Sequence, residues 1–259
     1  MKNYNISGSI VVYNKPEDAV KTVESVIANT GDNFSLYVID NNSRDKINDI
    51  LRGRFNRNYI DLDENIGFGK AHNKVLPLVN SKYHFVINPD ILINKDTIDT
   101  MCDFMDSHPE AAIACPKVLN PDGSVQYIAK NRPSLMALVS RRVHIKCLKK
   151  IEDDYLMLNA DQDTAFEVDF CTGCFFVIRT DVFKKIGGFD PDYFLYFEDA
   201  DITMKAKQEG KAYYAPCGTV THFWHRETRH SKKQFFIQLK SMFIYFKKWG
   251  FIKKKWCSG

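Results

Sequence analysis

The strongest constraint on the fold of this 259-residue chain is a regular alternation of short apolar runs with amphipathic stretches in its first half. The apolar runs predict strands at 9–13, 34–39, 59–62, 83–87 and 111–118. The stretches between them, beginning with the one that opens at Pro16, repeat apolar residues at helical spacing. Strands that alternate with helices form βαβ units, so we predict an α/β fold with a mostly parallel central sheet flanked by helices.

Polar residues cluster where the predicted strands end, and ligands bind at the carboxyl ends of parallel strands. The first cluster combines Tyr13 and Asn14 with Asp40 and Asn42. A carboxylate and amides there can pair with the edge of a uracil or thymine and with its ribose. The alternative is that these residues only cap helices and turns, which Asp and Asn commonly do.

The second cluster is the segment 65–73, NIGFGKAHN, which includes Asn65 and Asn73. Gly67 permits close backbone approach, the start of a helix offers free N–H groups, and Lys70 adds a positive charge. These features suit a phosphate or a sugar hydroxyl. A dinucleotide-binding fingerprint would follow the first strand rather than the third, so a generic glycine-containing loop is the alternative.

Two acidic clusters follow further along the chain. Asp90, in the turn Asn88-Pro89-Asp90, can hold a hard divalent ion while a diphosphate supplies other ligands, or it can be structural. The segment 196–201, YFEDAD, places three carboxylates in four positions, and these repel one another unless something compensates. Such a cluster suits a general base with a tuned pKa, and the alternative is an acidic helix N-terminus.

The cysteines and histidines give weaker signals. Cys171 and Cys174 have no second cysteine pair, so buried thiols are favoured over zinc or redox chemistry. Seven cysteines without an export signal predict a cytoplasmic protein with reduced thiols. His222 becomes a metal ligand only if it folds back toward Asp90.

In their order along the chain, several motifs resemble those of the GT-A fold glycosyltransferases of family 2, especially their bacterial rhamnosyltransferase-like branch. The motifs are VVYN (11–14), DNNS (40–43), NIGFGKAHN (65–73), NPD (88–90), GGFDPDYFLYFEDAD (187–201) and His222. The resemblance implies a Rossmann-like GT-A domain over 1–230, with a nucleotide-binding half to about 118 and an acceptor and catalytic half from about 119. It also implies an inverting transfer of a sugar from a nucleotide diphosphate donor to an acceptor hydroxyl.

The same resemblance implies a role for each motif. Asp199 is expected to be the catalytic base, with Glu198 assisting, and Asp90 and His222 are expected to bind Mg²⁺ or Mn²⁺. The nucleotide sugar is expected to contact Tyr13, Asn14, Asp40, Asn42, Asn65, Gly67, Lys70, Asn73 and Asn88. The usual D-x-D motif appears here as N-P-D, a variant familiar in the rhamnosyltransferase-like branch, so dTDP-rhamnose is the favoured donor over a UDP-linked sugar. The Q-x-x-R-W motif of processive members is absent, so we expect one sugar to be added per encounter.

The C-terminal segment 231–259 has eight lysines and no acidic residue, which leaves 28 basic against 32 acidic residues before it. Its apolar residues can share much of one helical face if the segment is a helix: Phe235, Phe236, Leu239, Phe243, Phe246 and Trp249. With lysines at the rim, residues 231–256 suit an anionic membrane surface, and the alternative is packing on the domain or in a dimer. A polyprenyl-linked or other saccharide acceptor would fit an enzyme peripheral to the inner face of the cell membrane, acting in surface polysaccharide synthesis.

Other functions remain open from the sequence. A non-catalytic nucleotide-sugar-binding scaffold could keep the fold, and a nucleotidyltransferase on a related sheet would use a sugar phosphate and a nucleoside triphosphate. The basic segment comes with no RNA- or DNA-binding motif, so nucleic acid is not expected as a partner.

Overall fold

The computed structural model describes residues 4–14, 16–44, 51–53, 58–143, 146–223 and 232–251. The first six strands are β1 (Ile6–Val12), β2 (Phe34–Asp40), β3 (Tyr59–Asp61), β4 (Tyr83–Ile87), β5 (Ile91–Ile93) and β6 (Ala111–Leu119). The next six are β7 (Val125–Gln126), β8 (Ala129–Lys130), β9 (Phe166–Glu167), β10 (Phe170–Cys171), β11 (Phe175–Arg179) and β12 (Lys211–His222). The α-helices are α1 (Pro16–Ala28), α2 (Phe68–Asn73), α3 (Thr97–Ser107), α4 (Leu135–Val143), α5 (Lys149–Tyr155), α6 (Thr180–Lys185), α7 (Glu198–Ala206) and α8 (Lys232–Trp249).

The central sheet has the strand order β3-β2-β1-β4-β11-β6-β12-β5. The strands from β3 to β4 are parallel, as the βαβ pattern predicts. β11 lies antiparallel between β4 and β6, and β5 lies antiparallel to β12, so the sheet is mixed. The α/β class and the central sheet flanked by helices are confirmed. Of the strands that make the sheet mixed, β11 lies in the second half of the chain, and the three-residue β5 is not among the predicted strands.

The core of the sheet is mostly apolar. All seven residues of β1 and all five of β4 are buried, and their apolar runs are interrupted only by Gly8 and by the polar residues Ser7, Ser9 and His84. Fully buried aromatic side chains such as Phe85 and Phe176 fill the space between the sheet and its helices. Each contributes about 1.5–3 kcal/mol by leaving water.

A chain of hydrogen bonds crosses this core and joins α2 to the sheet. Ser7 Oγ lies 2.7 Å from His84 Nδ1, and Ser9 Oγ lies 2.9 Å from His84 Nε2 and 2.7 Å from His72 Nδ1. Both imidazoles are completely buried. Burial lowers the pKa of both rings, that of His84 to about 3, because a protonated imidazole cannot be solvated there.

Helix α8 packs on the domain through one face and exposes another. Tyr245 and Phe246 are buried against Phe170, Tyr193 and Met204. Of the residues predicted to share much of one helical face, Phe246 is therefore buried on the domain, whereas Phe235, Phe236, Leu239 and Phe243 are exposed. Residues 252–259, with three of the eight lysines and Trp256, lie outside the described residues.

We predict that the buried histidines make the fold sensitive to acid. At a pH above the ordinary histidine pKa of about 6.5, His72 and His84 are neutral in both the native and the unfolded protein. At a pH below 6.5, both histidines are protonated in the unfolded protein but stay neutral in the native protein. The free energy of unfolding then falls by up to about 1.4 kcal/mol per pH unit for each histidine, until the pH approaches the native pKa. Urea unfolding at pH 7.5 and 5.5 measures this loss, which should be smaller by about 1 kcal/mol in His84→Gln. An equal loss in the variant would contradict the prediction.

Candidate active site

The loops after β1 and β2 lie side by side and form the first polar cluster. Asp40 is buried, and its carboxylate accepts hydrogen bonds from the Ser43 amide (2.7 Å) and the Tyr59 hydroxyl (2.9 Å). The backbone amide of Asn14 donates to Ser43 Oγ at 2.9 Å, and this hydrogen bond connects the two loops. Each carboxylate oxygen of Asp40 keeps further lone pairs, so this group is fixed in orientation and can still accept from a ligand.

Three predicted nucleoside contacts surround Asp40. Asn14 and Asn42 have left-handed backbones, with φ of 56° and 63°, which asparagine tolerates better than most residues. Tyr13 directly follows Val12, which pairs with Asp40 in the sheet, and its ring is 46% exposed. The structure therefore brings Tyr13, Asn14, Asp40 and Asn42 to one edge of the sheet.

Asn41, which lies between the predicted nucleoside contacts Asp40 and Asn42 and is not itself one of them, joins the first cluster to the second. It is buried, its oxygen accepts from the Ile66 amide (3.0 Å), and its nitrogen donates to Asn65 Oδ1 (2.9 Å). Gly67 has a φ of 91°, and a Cβ there would lie 2.3 Å from the carbonyl oxygen of Phe194. Only glycine fits this close approach, so the loop is built against the segment that precedes α7.

Asn73 has a different task from the predicted contact with the donor. Its side-chain nitrogen donates to the Phe189 carbonyl (2.7 Å), and its oxygen accepts from the Phe189 amide (2.8 Å). The carboxamide thus holds the NIGFG segment against the GGFD segment, and we leave Asn73 out of the donor-binding set. Lys70 is half-buried within α2.

The short strand β5 brings Asp90 and His222 together. Asp90 precedes β5, and His222 is the last residue of β12 and pairs with Ile91. The Phe223 amide also donates to the Asp90 carbonyl at 2.9 Å. As a result, Asp90 Oδ1 lies 3.3 Å from His222 Nε2, although the two residues are far apart in the sequence.

Gln126 determines which nitrogen of His222 carries the proton. Its side-chain nitrogen donates to Asn120 Oδ1 (2.7 Å) and to the His222 carbonyl (3.2 Å), so its oxygen must face the ring. That oxygen lies 2.9 Å from His222 Nδ1, which therefore carries the proton and donates. In the neutral ring, Nε2 is then an acceptor directed at the Asp90 carboxylate.

This pair has the chemistry of a divalent cation site. Two electron-pair donors, Asp90 Oδ1 and His222 Nε2, face each other, and Asp90 Oδ1 is a buried atom without a hydrogen-bond partner among the described residues. A cation between the two atoms would remove the repulsion between their lone pairs. A carboxylate oxygen and an imidazole nitrogen are suitable ligands for Mg²⁺ or Mn²⁺. Within the described residues no group of three or more His, Cys, Asp or Glu could hold a metal, so other ligands must come from a bound molecule or water.

Asp199, the second residue of α7, is held by backbone amides. Its Oδ2 accepts from the Gly173 amide (3.0 Å) and its Oδ1 from the Ala200 amide (2.9 Å). A Cβ on Gly173 would lie 2.9 Å from Asp199 Cβ, so a glycine is needed at this position. Burial raises the pKa of Asp199, while the Gly173 amide and the positive charge of Lys130 oppose this rise.

The neighbouring carboxyl group of Glu198 behaves differently. It is buried, and its Oε2 has no hydrogen-bond partner among the described residues. Burial, and the negative charge of Asp199, raise the pKa of Glu198 to about 8. Because the Gly173 and Ala200 amides donate to Asp199, whereas Glu198 Oε2 has no hydrogen-bond partner among the described residues, the negative charge at neutral pH resides on Asp199 and the proton on Glu198.

Consecutive residues connect the acidic pair to the Asp90 turn. Gly173 donates to Asp199, and the carbonyl of Cys174 accepts from the Asn88 amide at 2.9 Å. Burial, with the negative charges of Asp90 and Asp199, raises the pKa of the Cys174 thiol to about 12. The two carboxylates therefore both lie near one short segment, and Cys171 and Cys174 are buried thiols.

Helix α8 supports the strained turn that leads into α7. Tyr196 and Phe197 have φ of 71° and 66°, a conformation that such bulky residues rarely adopt. Phe197 packs on Tyr245 with ring centroids 5.5 Å apart, and Ser241 Oγ donates to the Leu195 carbonyl at 2.8 Å.

The third carboxylate of the acidic cluster, that of Asp201, is hydrogen-bonded to side chains of α8. Asp201 accepts from Trp249 Nε1 at 2.7 Å and from Lys248 Nζ at 3.0 Å. Asp201 is therefore structural, and only Glu198 and Asp199 of the cluster remain for chemistry.

Solved structures with the same fold are glycosyltransferases. GalNAc-T7, crystallised with UDP, GalNAc and Mn²⁺, has a TM-score of 0.66 at 15% identity, over 88% of this chain and 45% of that protein. The mannosyltransferase PcManGT of Pyrobaculum calidifontis, in complex with GDP-Man and Mn²⁺, has a TM-score of 0.64 at 14% identity, over 89% of this chain and 60% of that protein. The present chain thus spans about half of these proteins, and the likeness establishes the GT-A fold.

Sequence comparison identifies the family. Rhamnosyltransferase WbbL of Escherichia coli K12 is 26% identical over 247 residues, which cover 91% of this chain and 90% of WbbL. The N-acetylglucosaminyl-diphospho-decaprenol L-rhamnosyltransferase of Mycobacterium tuberculosis H37Rv is 27% identical over 207 residues, 73% of this chain and 66% of that protein. Residues 9–187 match the sequence model of the family described as "Glycosyl transferase family 2". The chain therefore belongs to glycosyl transferase family 2 and is a rhamnosyltransferase-like glycosyltransferase.

Proposed function

We propose that this enzyme transfers one sugar from a nucleotide diphosphate donor to a saccharide hydroxyl, with inversion and with the help of a divalent cation. The observation that carries the proposal is that residues 173–174 contact both the Asp199 carboxylate and the turn that holds Asp90 and, through it, His222. One group is suited to the leaving diphosphate and the other to the attacking hydroxyl, as a single displacement requires.

Each group of residues has a proposed role. The nucleoside is oriented by Asp40 together with Tyr13, Asn14 and Asn42. The part of the donor site that leads to the sugar is lined by Asn65, Gly67, Lys70 and Asn88. Asp90 and His222 would hold Mg²⁺ or Mn²⁺, which when bound stabilises negative charge on the leaving diphosphate. Asp199 accepts the proton of the acceptor hydroxyl as the hydroxyl attacks the sugar. Protonated Glu198 keeps a second negative charge away from the base.

The favoured donor is dTDP-rhamnose, and the favoured acceptor is a saccharide on a lipid diphosphate. Two rhamnosyltransferases are similar to this chain over most of its length, and the mycobacterial one is named for a diphospho-decaprenol-linked acceptor. A UDP-linked sugar is the second candidate, because neighbours in fold were crystallised with UDP or with UDP-GlcNAc. Surface polysaccharide synthesis is the process that such a reaction serves.

The exposed face of α8 is the proposed contact with an anionic membrane surface at the inner face of the cell membrane. Phe236 and Phe243 are 66% and 65% exposed, and exposed Lys233 and Lys240 lie on the same helix. Aromatic side chains beside lysines bind at the boundary of an anionic bilayer. Among the described residues there is no helix with the length and apolar character to span a bilayer.

We predict opposite results for the two adjacent carboxyl groups. Asp199→Asn removes the base and should lower transfer by about 10²-fold or more without weakening donor binding. Glu198→Gln mimics the protonated acid and should keep most of the activity at pH 7. Nucleoside diphosphate release from dTDP-rhamnose, UDP-GlcNAc and GDP-mannose, with acceptor present, measures both variants against wild type.

The opposite order of the two variants would overturn the assignment of the base. Absence of release by the wild type with every donor would favour the scaffold. Pyrophosphate release from a nucleoside triphosphate and a sugar phosphate would instead favour the nucleotidyltransferase.

We predict that Gln126 is needed for tight metal binding although it is not a ligand. Gln126→Leu removes the acceptor that fixes the His222 tautomer and should weaken Mn²⁺ binding to the enzyme–UDP complex by about tenfold. Gln126→Glu keeps that acceptor and should bind nearly as wild type, whereas Asp90→Asn should bind much more weakly. Titration of Mn²⁺ followed by electron paramagnetic resonance measures all of these. Equal affinity of Gln126→Leu and wild type would contradict the role.

We predict that the exposed face of α8 controls association with membranes. Phe236→Ser with Phe243→Ser should lower cosedimentation with anionic phosphatidylglycerol vesicles while leaving donor turnover in detergent unchanged. Ile27→Ser, which removes a half-exposed apolar side chain from α1, serves as the matched control. Undiminished cosedimentation of the double variant would exclude this face as the membrane contact.

A further inference from the structure

A group of basic side chains lies beside the catalytic carboxylate and is not used by the proposed chemistry. Lys130 ends the two-stranded ladder β8–β10, where it pairs with Phe170, and Gly173, which holds Asp199, follows β10 by two residues. The Lys130 ammonium lies 5.0 Å from the centre of the Phe170 ring. In the part of the chain that the structure describes, no carboxylate lies within ion-pair distance of it.

The second cation approaches from helix α4. The guanidinium of Arg141 lies 6.0 Å from the centre of the Tyr155 ring. Burial raises the pKa of the Tyr155 phenol, the Arg141 charge opposes this rise, and the Asp199 charge adds to it. Burial also lowers the pKa of Lys130, with the Arg141 charge acting in the same direction and the Asp199 charge opposing it. Lys130, Arg141, Tyr155 and Asp199 are therefore electrostatic neighbours.

An open cavity of about 270 Å³ adjoins these groups. Asn131, Arg132, Ser134, Asp154 and Tyr155 are among its lining residues. Asn131 fixes the shape of the cavity, because its amide donates to the Tyr155 carbonyl (2.9 Å) and its side chain to the Asp154 carbonyl (2.7 Å). Arg132 donates to the carbonyls of Trp249 and Gly250 and is thus occupied by the end of α8.

The helix that borders the cavity exposes an apolar face. Ala137 of α4 lines the cavity, whereas Met136, Val139 and Val143 are 52%, 46% and 47% exposed. Leu138 packs against the cluster formed by Tyr245 and Phe246, so α4 lies beside α8 and its exposed rings. One amphiphilic molecule could place its anionic group beside Lys130 and Arg141 and its hydrocarbon chain along the apolar face of α4.

We propose that Lys130 and Arg141, which lie next to the cavity-lining residues Asn131 and Tyr155, bind the diphosphate of a lipid-linked saccharide acceptor, with its hydrocarbon chain along Met136 and Val139 of α4. The inference rests on the proposed function, since it assigns a place to that reaction's acceptor. Anchoring the acceptor by its diphosphate directs the adjoining sugar hydroxyl toward Asp199. The positive charges also offset the approach of an anionic substrate to an anionic base.

The test measures binding and needs no turnover. Mn²⁺ and UDP first fill the donor site of the full chain, and geranyl diphosphate, inorganic pyrophosphate or geraniol is then titrated by calorimetry. Lys130→Gln and Arg141→Gln should each weaken geranyl diphosphate and pyrophosphate by about tenfold, the loss expected for one charged hydrogen bond. Met136→Ser with Val139→Ser should weaken geranyl diphosphate and geraniol only.

Controls separate this site from general charge and from the proposed function. Lys149→Gln, an exposed lysine on α5, should bind all three probes as wild type does. Unchanged binding in Lys130→Gln and Arg141→Gln, or an equal loss in Lys149→Gln, would overturn the proposal. Retained UDP–Mn²⁺ binding shows that each variant is folded, and Arg141 is exposed, so its replacement leaves the core intact. If no donor is turned over, the proposed function fails, yet these affinities still decide whether the site exists.

Discussion

The pairing of β5 with the end of β12 is the interaction on which the site depends. It aligns Ile91 with His222 and so places two electron-pair donors, Asp90 Oδ1 and His222 Nε2, 3.3 Å apart. Gln126 Oε1 accepts the proton of His222 Nδ1, so in the neutral ring Nε2 and Asp90 Oδ1 both present lone pairs, and a cation between them would relieve their repulsion. Asp90 and His222 would supply two of the about six ligands of Mg²⁺ or Mn²⁺, and a bound diphosphate or water would supply the others.

A second pair of groups, at the start of α7, poses a different electrostatic problem. Glu198 is buried and the adjacent Asp199 is half-buried, and the two carboxyl groups cannot both be ionised without large cost. The backbone favours ionisation of Asp199, because the amides of Gly173 and Ala200 donate hydrogen bonds to its carboxylate. The strained turn before α7 is in turn held by α8, so the segment proposed to touch the membrane also supports the base.

Part of this arrangement could be predicted from the sequence, because the polar clusters at Tyr13, Asp40 and Asp90 each lie at the end of a predicted strand. The roles expected for Asp90, His222 and Asp199 come from the resemblance of their motifs to those of family 2. The three residues of β5 are too few to form a recognisable pattern, and Gln126 lies in an irregular stretch that carries no motif. Helical periodicity groups Phe236 with Phe246 but cannot say which side of α8 the domain covers, and that depends on contacts with Tyr193 and Phe197. The cavity beside Lys130 also depends on tertiary packing, which local patterns do not encode.

The most direct measurement is the anomalous diffraction signal of Mn²⁺ in crystals grown with a nucleoside diphosphate. The account predicts one manganese peak with Asp90 Oδ1 and His222 Nε2 both at about 2.0–2.3 Å, and diphosphate oxygens completing the shell. A peak held by neither residue, or a diphosphate bound away from them, would contradict the central claim.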